Sequence, residues 1–236
     1  MSQAGTSIRC RAFSVPKNGN SRAEYEDACA FELKAGRFAV ADGASESVFA
    51  GEWANLLCQS FVADSLDPGK IVEWRQAMQK RWLALVFQQD LPWYLEEKVK
   101  EGAYATFLGL TLVGENWQAL AIGDSCLFHV RGAKLLTAFP LDRAEEFGTR
   151  PGLIGSRQKS DPVTRQATGT LQPGDSLLLM TDALAEWFLR TGDEGGTPWS
   201  KLLRLSEGDF TAWIDALRET VAIKNDDVTM LVVDMK

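Results

Sequence analysis

The stretch from Ala105 to Ala138 reads ATFLGLTLVGENWQALAIGDSCLFHVRGAKLLTA and decides the fold. It contains apolar-rich segments that predict strands, at Ala105–Val113, Trp117–Ile122, Ser125–Val130 and Lys134–Ala138. The connections at residues 114–116 and 131–133 have the length of hairpin turns. Successive strands joined by such short turns pair antiparallel, so this stretch predicts an antiparallel sheet.

The flanking sequence adds more strands and several helices. Further strands are predicted at Ile8–Val15, Ala28–Leu33, Arg37–Ala41, Ser176–Thr181 and Val228–Asp234. Helices are predicted from the spacing of apolar residues at Phe49–Phe61, Ile71–Val86, Leu184–Leu189 and Asp209–Ala222. Residues 139–170, rich in Gly, Pro and charge, are predicted to form an irregular surface excursion.

Grouped helices and hairpin-linked strands indicate an α+β fold rather than a βαβ repeat. Each amphipathic helix needs a sheet face on which to bury its apolar side. We therefore expect a four-layer αββα sandwich, with two mainly antiparallel β-sheets flanked by helices. No repeat or Pro/Gly-rich linker divides the chain, so residues 1–236 are predicted to form a single domain.

Composition narrows the class of protein. The chain has 236 residues, of which 45% are hydrophobic and 24% charged, as in an ordinary globular protein. The net charge is -7, from 25 basic and 32 acidic residues, and no Lys/Arg-rich run occurs. We therefore expect no binding to nucleic acid, which requires clustered positive charge.

The cellular location is predicted from what the sequence contains. Met1 to Phe13 has no apolar stretch of signal-peptide length, and no segment approaches the roughly 20 apolar residues of a membrane span. We expect a cytoplasmic monomer with no membrane contact. The cysteines are scattered and are predicted to be buried thiols, and the single histidine, His129, leaves too few ligands for zinc.

Acidic residues stand at the ends of the predicted strands. They are Glu26, Asp27, Asp42, Asp124, Asp182, Asp226 and Asp227. Each one alone is explained by a turn or a helix N-cap. Gathered at one edge of the sheets, however, they would repel one another unless cations neutralised them. Oxygen ligands suit Mg²⁺ or Mn²⁺, and two such ions roughly 3.5–4 Å apart can clamp a phosphoryl group.

The chain resembles the type-2C (PPM, metal-dependent) serine/threonine protein phosphatases, in the form of a bacterial-like minimal catalytic domain. The resemblance rests on motifs in the family's order. They are Arg22-Ala23-Glu24-Tyr25-Glu26-Asp27-Ala28, Val40-Ala41-Asp42-Gly43, Gly123-Asp124-Ser125, Gly174-Asp175 through Thr181-Asp182, and Asp226-Asp227-Val228-Thr229. Each motif is weak alone, but together they cover almost the whole chain.

The resemblance implies a reaction and a set of metal ligands. It implies hydrolysis of phosphoserine or phosphothreonine in a phosphorylated protein, by direct attack of a water that bridges two Mn²⁺ or Mg²⁺ ions. Asp42 would bridge both ions, while Glu26 and the carbonyl of Gly43 would hold one of them. Asp182 and Asp226 would hold the other.

Further residues receive roles from the same resemblance. Arg22 and Asp42 are the implied catalytic residues, because the planar guanidinium of Arg22 would grip the substrate phosphate. The alternative for Arg22 is a surface ion pair with Glu26, four residues later. Asp27 would support the ligands, and Glu186 and Glu101 are weaker candidates for holding a third ion.

The chain also departs from the family pattern. Ala44 stands where many members have a histidine that serves as a general acid. Other departures are Ser45 and Glu46 in place of glycines, Cys126 in place of Arg, Ala183 in place of Gly, and Asp227 in place of Asn. Two alternatives therefore stay open: a catalytically weak, phosphatase-like regulatory or binding module, and a hydrolase of small phosphate esters.

Overall fold

The computed structural model describes residues 7–64, 66–87, 92–148 and 150–236. The strands in these ranges are β1 Ile8–Val15, β2 Ala28–Glu32, β3 Arg37–Ala41, β4 Tyr104–Ala105, β5 Phe107–Val113, β6 Asn116–Ile122, β7 Cys126–Arg131, β8 Lys134–Phe139, β9 Ile154–Gly155, β10 Arg165–Thr170, β11 Asp175–Met180 and β12 Val228–Met235. The helices are α1 Ala50–Ala63, α2 Ile71–Val86, α3 Trp93–Glu101, α4 Asp182–Asp193, α5 Pro198–Leu202 and α6 Glu207–Glu219.

The long strands form two five-stranded sheets. The first has the order β1-β12-β11-β7-β8 and the second has the order β10-β6-β5-β3-β2. Neighbouring strands are antiparallel throughout both sheets. Strands β4 and β9 form a separate antiparallel pair. The antiparallel pairing predicted from residues 105–138 is confirmed within each hairpin, β5–β6 and β7–β8, but the two hairpins lie in different sheets rather than in one.

The core is divided into three layers of apolar side chains. Strand β11 shows the division, because Leu177 and Leu179 face the second sheet while Leu178 and Met180 face the helices. Helices α4, α5 and α6 cover the outer face of the first sheet, and α1, α2 and α3 cover the outer face of the second. The predicted four-layer αββα sandwich is confirmed.

The region from 139 to 170 is more ordered than predicted. Strand β10 pairs with β6 along its full length, and β9 pairs with β4. Strand β10 lies at an edge, with its side chains exposed or half-buried, so it lacks the apolar signal of a buried strand. Helices α3 and α5 were also not predicted; both are short.

The helix predicted at Ile71–Val86 is confirmed as α2. Helix α2 ends at Val86, before Pro92, and Pro92 precedes the first turn of α3; residues 88–91 between them lie outside the described ranges. Residues 1–6 of the predicted N-terminal stretch also lie outside them.

All of the cysteines are free thiols, with Cys58 and Cys126 buried and Cys10 and Cys29 half-buried. Among the described helices, none has the length and apolarity needed to cross a membrane.

Candidate functional site

Strand register brings the predicted acids to one edge of both sheets. In the second sheet Ala28 pairs with Ala41, so Asp27 and Asp42 lie at the same end. In the first sheet Met180 pairs with both Cys126 and Met230. The segments that carry Asp124, Asp182 and Asp226 therefore meet at the corresponding end of the sandwich.

Asp42 lies immediately after β3 and is held by Thr106, the residue between β4 and β5. The Asp42 N–H lies 3.3 Å from Thr106 Oγ1, and the Asp42 carbonyl accepts a hydrogen bond from Thr106 N at 2.8 Å. Burial raises the pKa of the Asp42 carboxyl well above its ordinary value, and surrounding negative charges raise it further. These charges belong to Asp27, Asp182, Asp226 and Asp124. The negative charges of four neighbouring aspartates therefore act on the Asp42 carboxyl.

Asp182 and Asp124 belong to the same cluster. Asp182 begins α4, and burial followed by the charge of Asp226 raises the pKa of its carboxyl to about 6. Asp124 lies in the turn between β6 and β7 and is buried, and burial followed by the charge of Asp182 raises its pKa to about 7. The positive charge of Lys224 acts to lower the pKa of both carboxyls. Asp124 was predicted to lie at a strand end, but no function was predicted for it.

Asp27 is buried at the same end of the sandwich. Its Oδ2 accepts a hydrogen bond from Thr181 Oγ1 at 2.9 Å, whereas its Oδ1 is buried with no partner among the described residues. Asp124 Oδ1 is buried and unpartnered in the same way. Burial raises the pKa of Asp27 well above its usual value. Unpartnered buried carboxylate oxygens are costly, so this edge is chemically suited to a hard cation.

Glu26 contacts Lys17 and Ser45, for which the sequence predicted no role in the site. Lys17 Nζ donates a hydrogen bond to Glu26 Oε2 at 3.2 Å and another to Ser45 Oγ at 2.9 Å. Ser45 also donates to Glu26 Oε2. Burial alone would lower the pKa of the Lys17 ammonium, but the hydrogen bond to Glu26 and the charge of Glu26 raise it. Lys17 is therefore an ammonium held beside the acidic cluster.

Asp227 connects three parts of the chain. Its Oδ1 accepts a hydrogen bond from Lys17 N at 2.8 Å, and its Oδ2 accepts one from Glu26 N at 2.7 Å. The side chain is buried, while the neighbouring Asp226 is half-buried. Asp227 thus holds the backbone of Lys17 and Glu26 in place, and both of its carboxylate oxygens already accept hydrogen bonds.

Gly43 lies where two backbone segments approach closely. A Cβ at this position would lie 2.6 Å from the Glu26 carbonyl oxygen and 2.9 Å from the Ala50 carbonyl oxygen. Only glycine therefore fits without moving the backbone. This close packing fixes the loop after Asp42 against the segment that carries Glu26.

The remaining predicted residues lie at the margin of the cluster. Arg22 is exposed; its Nη1 donates to Ser14 O at 3.1 Å, and its guanidinium lies 5.4 Å from the centre of the Tyr25 ring. Within the described ranges, the structure shows no ion pair between Arg22 and Glu26, whose partner is Lys17 instead. Arg22 is therefore not in contact with the candidate ligands.

Glu186 and Glu101 were the candidates for a third ion. Glu186 forms ion pairs with Lys224 at 2.9 Å and with Arg190 at 3.4 Å. Glu101 lies at the end of α3 and lines a cavity of about 240 Å³ together with Ala44. The two glutamates therefore lie in different surroundings, since Glu186 is paired with cations whereas Glu101 borders a cavity.

As the side chains stand, no three His, Cys, Asp or Glu residues in the described ranges surround a common point closely enough to hold a metal ion. The aspartates are near enough for their charges to act on one another, but they do not form a closed ligand set. Their oxygen chemistry fits Mg²⁺ or Mn²⁺, and ligand side chains would have to draw together around the ion.

A comparison of the sequence with protein-family models identifies the family to which this arrangement of acids belongs. The family model described as "Protein phosphatase 2C" matches residues 19–223, a span that contains Glu26, Asp42 and Asp182. The chain belongs to the protein phosphatase 2C family. Asp226 lies just beyond the matched span, in the segment that enters β12.

Solved structures show the same protein phosphatase 2C fold. PppA, described as a key regulatory component of the type VI secretion system in Pseudomonas aeruginosa, is 20% identical with a TM-score of 0.64, over 97% of this chain and 98% of PppA. The Mycobacterium tuberculosis serine/threonine phosphatase PstP/Ppp is 20% identical with a TM-score of 0.63, over 97% and 99% of the two chains. The catalytic domain of PstP in complex with two manganese ions is 20% identical with a TM-score of 0.61, over 98% and 99%. The comparison with curated protein sequences gave no match.

Proposed function

We propose that this protein phosphatase 2C member is a metal-dependent phosphoprotein phosphatase that hydrolyses phosphoserine and phosphothreonine. The observation that carries the proposal is the convergence of Asp42, Asp124, Asp182 and Asp226 at one edge of both sheets, where their charges act on one another. A binding site for divalent cations explains why the fold tolerates this repulsion. The manganese ions in the PstP catalytic domain are consistent with that explanation.

The proposed ligands keep their expected roles. Asp42 is the shared ligand, Glu26 and the Gly43 carbonyl serve one ion, and Asp182 and Asp226 serve the other. When bound, two such ions would clamp the substrate phosphate and lower the pKa of the attacking water. Glu186 or Glu101 would serve a third ion, and for Glu186 this would require release from Lys224 and Arg190.

The protein's own residues prepare this site. Thr106 holds the backbone of Asp42 in place, and Asp227 holds the backbone of Glu26. Thr181 holds one oxygen of Asp27. Arg22 is proposed to bind the substrate phosphate, for which its guanidinium would have to leave the Ser14 carbonyl. These hydrogen bonds hold the backbone that carries the candidate ligands, whereas the ligand side chains would still have to draw together around the ions.

A second candidate function is a catalytically weak regulatory or binding module. The observation that favours it is the pairing of Lys17 with Glu26 and of Lys224 with Glu186, which compensates part of the negative charge without a metal. A module of this kind would need no divalent ion to fold or to bind a partner. The substrate in the cell is proposed to be a phosphorylated protein, and a small phosphate ester is the alternative.

One experiment separates the candidate functions. Protein stripped of metal is assayed for hydrolysis of an aryl phosphate and of a phosphoserine peptide, with and without Mn²⁺. The phosphatase requires Mn²⁺-dependent release of phosphate from both compounds. Absence of turnover together with absence of Mn²⁺ binding heat would support the regulatory module, and turnover of the aryl phosphate alone would support a small-ester hydrolase.

The remaining features of the proposal concern the context of the activity. We propose one catalytic domain over residues 1–236, acting as a cytoplasmic monomer on phosphoprotein. Size-exclusion chromatography with light scattering tests the monomer, and limited proteolysis tests the single domain.

A further inference from the structure

The loop that carries Lys17 is fixed to the segment before β12 that carries Asp226 and Asp227. Besides the bond from Lys17 N to Asp227, Asn18 N donates to Asn225 Oδ1 at 2.7 Å. Arg218 Nη1 donates to Pro16 O at 2.9 Å, and Arg218 Nη2 donates to Asp226 O at 2.6 Å. The loop is therefore tied to the segment that enters β12, and the position of the Lys17 side chain is set by the fold.

The ammonium of Lys17 lies between two parts of the candidate site. It contacts Glu26 on one side and Ser45 on the other, and Ser45 lies three residues after Asp42. The Lys17 side chain has a relative exposure of 20%, so it can still be reached from solvent. An ammonium has three donors, and the contacts with Glu26 and Ser45 use two of them.

Arg22, the phosphate-binding residue implied by the family resemblance, contacts other groups. Its guanidinium is held by the Ser14 carbonyl and the ring of Tyr25. Among the cations of the described residues, Lys17, Lys224 and Arg190 contact carboxylates of the candidate site, and Arg190 shares its partner Glu186 with Lys224. Lys224 contacts Glu186, on the side of Asp182, whereas Lys17 contacts Glu26 itself.

The charge of Lys17 requires an anion once Glu26 binds a cation. At present Glu26 is the ion-pair partner of the ammonium. If Glu26 became a metal ligand, Lys17 would face a nearby divalent cation, and like charges at that range repel. A phosphate dianion between them would relieve the repulsion, because its oxygens can accept charge-assisted hydrogen bonds from the ammonium.

We propose that Lys17 binds an oxygen of the substrate's phosphate group in the protein phosphatase 2C site of this chain. The proposal rests on the proposed function, since it assumes a phosphate monoester substrate held beside bound cations. It adds a phosphate-binding residue in the loop after β1, which no motif in the sequence indicated.

The test measures phosphate binding and metal binding separately. Calorimetry gives the Kd for Mn²⁺ and then the Kd for inorganic phosphate on the Mn²⁺-loaded chain. The variants are Lys17→Ala, Lys17→Gln and Lys17→Arg, with Arg22→Ala for comparison. Lys34→Ala is the matched control, because Lys34 lies in the β2–β3 turn at the opposite end of the sheet.

Loss of the Lys17 charge is expected to weaken phosphate binding by about tenfold or more, as for the loss of a charge-assisted hydrogen bond. The Kd for Mn²⁺ is expected to stay the same or fall, because a competing cation has been removed from Glu26. Lys17→Arg should retain most of the phosphate affinity. The effect of Lys17→Ala should exceed that of Arg22→Ala, and Lys34→Ala should match the wild type.

Two results would overturn the inference. One is an unchanged phosphate Kd in Lys17→Ala and Lys17→Gln; the other is an equal weakening of Mn²⁺ and phosphate binding, which would mean that Lys17 only supports the scaffold. The backbone bond from Lys17 N to Asp227 does not depend on the side chain, so these variants keep the loop's attachment. A wild-type chain that binds neither Mn²⁺ nor phosphate would instead refute the proposed function, and this inference with it.

Discussion

The carboxylate of Asp227 accepts a hydrogen bond from the backbone nitrogen of Glu26 at 2.7 Å, across an interval of 201 residues. Its other oxygen accepts one from Lys17 N at 2.8 Å. Residues 225 and 226 form a bend before β12, where the Asp226 side chain is half-buried and the Asp227 side chain is buried. The family pattern places the ligand three residues before Thr229, at Asp226, and the contacts of Asp227 agree with a separate, supporting role.

The first prediction separates these neighbours. Asp227→Ala leaves two backbone N–H groups without their acceptor and is expected to cost about 2–4 kcal/mol of stability. That corresponds to a fall in Tm of roughly 4–16 °C for a chain of this size. Asp226→Ala is expected to change Tm little while weakening Mn²⁺ binding by about tenfold or more, since it removes a charged ligand. Thermal melts and Mn²⁺ titrations of both variants provide the measurement.

The reverse pattern would contradict this assignment. If Asp227→Ala lost Mn²⁺ binding with an unchanged melt, the ligand would be Asp227. The predicted register of the segment that enters β12 would then be wrong by one residue.

The second prediction concerns Asp42. Asp42→Asn is expected to abolish Mn²⁺-dependent hydrolysis, because the proposed shared ligand is lost for both ions. The metal-free variant should fold and melt at the same temperature as the wild type or higher, since one charge is removed from a repelling cluster. Asp193→Asn, at an exposed position at the end of α4, is the control and should behave as the wild type. A folded Asp42→Asn protein with full activity would exclude the two-metal proposal.

The third prediction follows from Ala44. This residue, two positions after Asp42, lines the cavity of about 240 Å³, and no histidine is among the described residues that line that cavity. Proton donation matters most when the leaving group has a high pKa. We therefore expect the rate to fall steeply from aryl to alkyl phosphates. Single-turnover rates across a series of leaving groups measure this slope, and equal rates with chemistry limiting would contradict it.

Much of the fold follows from the sequence because its signals are local. Strands β5 and β6 alternate or concentrate apolar residues over short runs, and the turns between strands have few possible lengths. Strand β10 gives no such signal, since its side chains are exposed or half-buried. Its Gly169 leaves space for the ring of Trp117, because a Cβ there would lie 2.5 Å from that ring. Such a contact depends on strand pairing and cannot be predicted from a local pattern.

The candidate site divides in the same way. Asp42 and Asp182 were predicted to lie at this end of the sheets. Asp42 directly follows an apolar strand, and Asp182 follows another after one residue. Lys17 was not predicted, because its contact with Glu26 depends on a loop that Asn225 and Asp227 hold from the other end of the chain. The ion pairs of Glu186 also depend on tertiary packing. Roles that require distant segments to meet were therefore beyond the sequence alone.

The last prediction concerns a buried polar network away from the acidic edge. Asp175 is fully buried and accepts hydrogen bonds from Arg131 at 2.7 and 2.8 Å. Its Oδ2 also lies 2.9 Å from His129 Nε2, while Trp117 Nε1 donates to His129 Nδ1 at 3.3 Å. Because Nδ1 accepts, Nε2 carries the proton and donates to Asp175. The network links β6, β7 and β11, and therefore both sheets.

Because of Asp175, the free energy of unfolding is expected to depend on pH at acidic pH values. Burial acts to raise the pKa of its carboxyl, but the hydrogen bonds from Arg131 and His129 outweigh burial and lower that pKa to about 2. A folded pKa below the unfolded value of about 3.9 gives stability that is present above pH 4 and is lost as pH falls toward 2.

Asp175→Asn is expected to cost about 2 kcal/mol near neutral pH, or roughly 4–8 °C in Tm. The difference from the wild type should shrink as the pH falls from 4 to 2, because the wild-type carboxyl then becomes protonated. Melts of both proteins across this range, with exposed Asp142→Asn as the control, measure the effect. A difference in Tm that stays constant from pH 6 to pH 2 would show that the charge of Asp175 does not stabilise the fold.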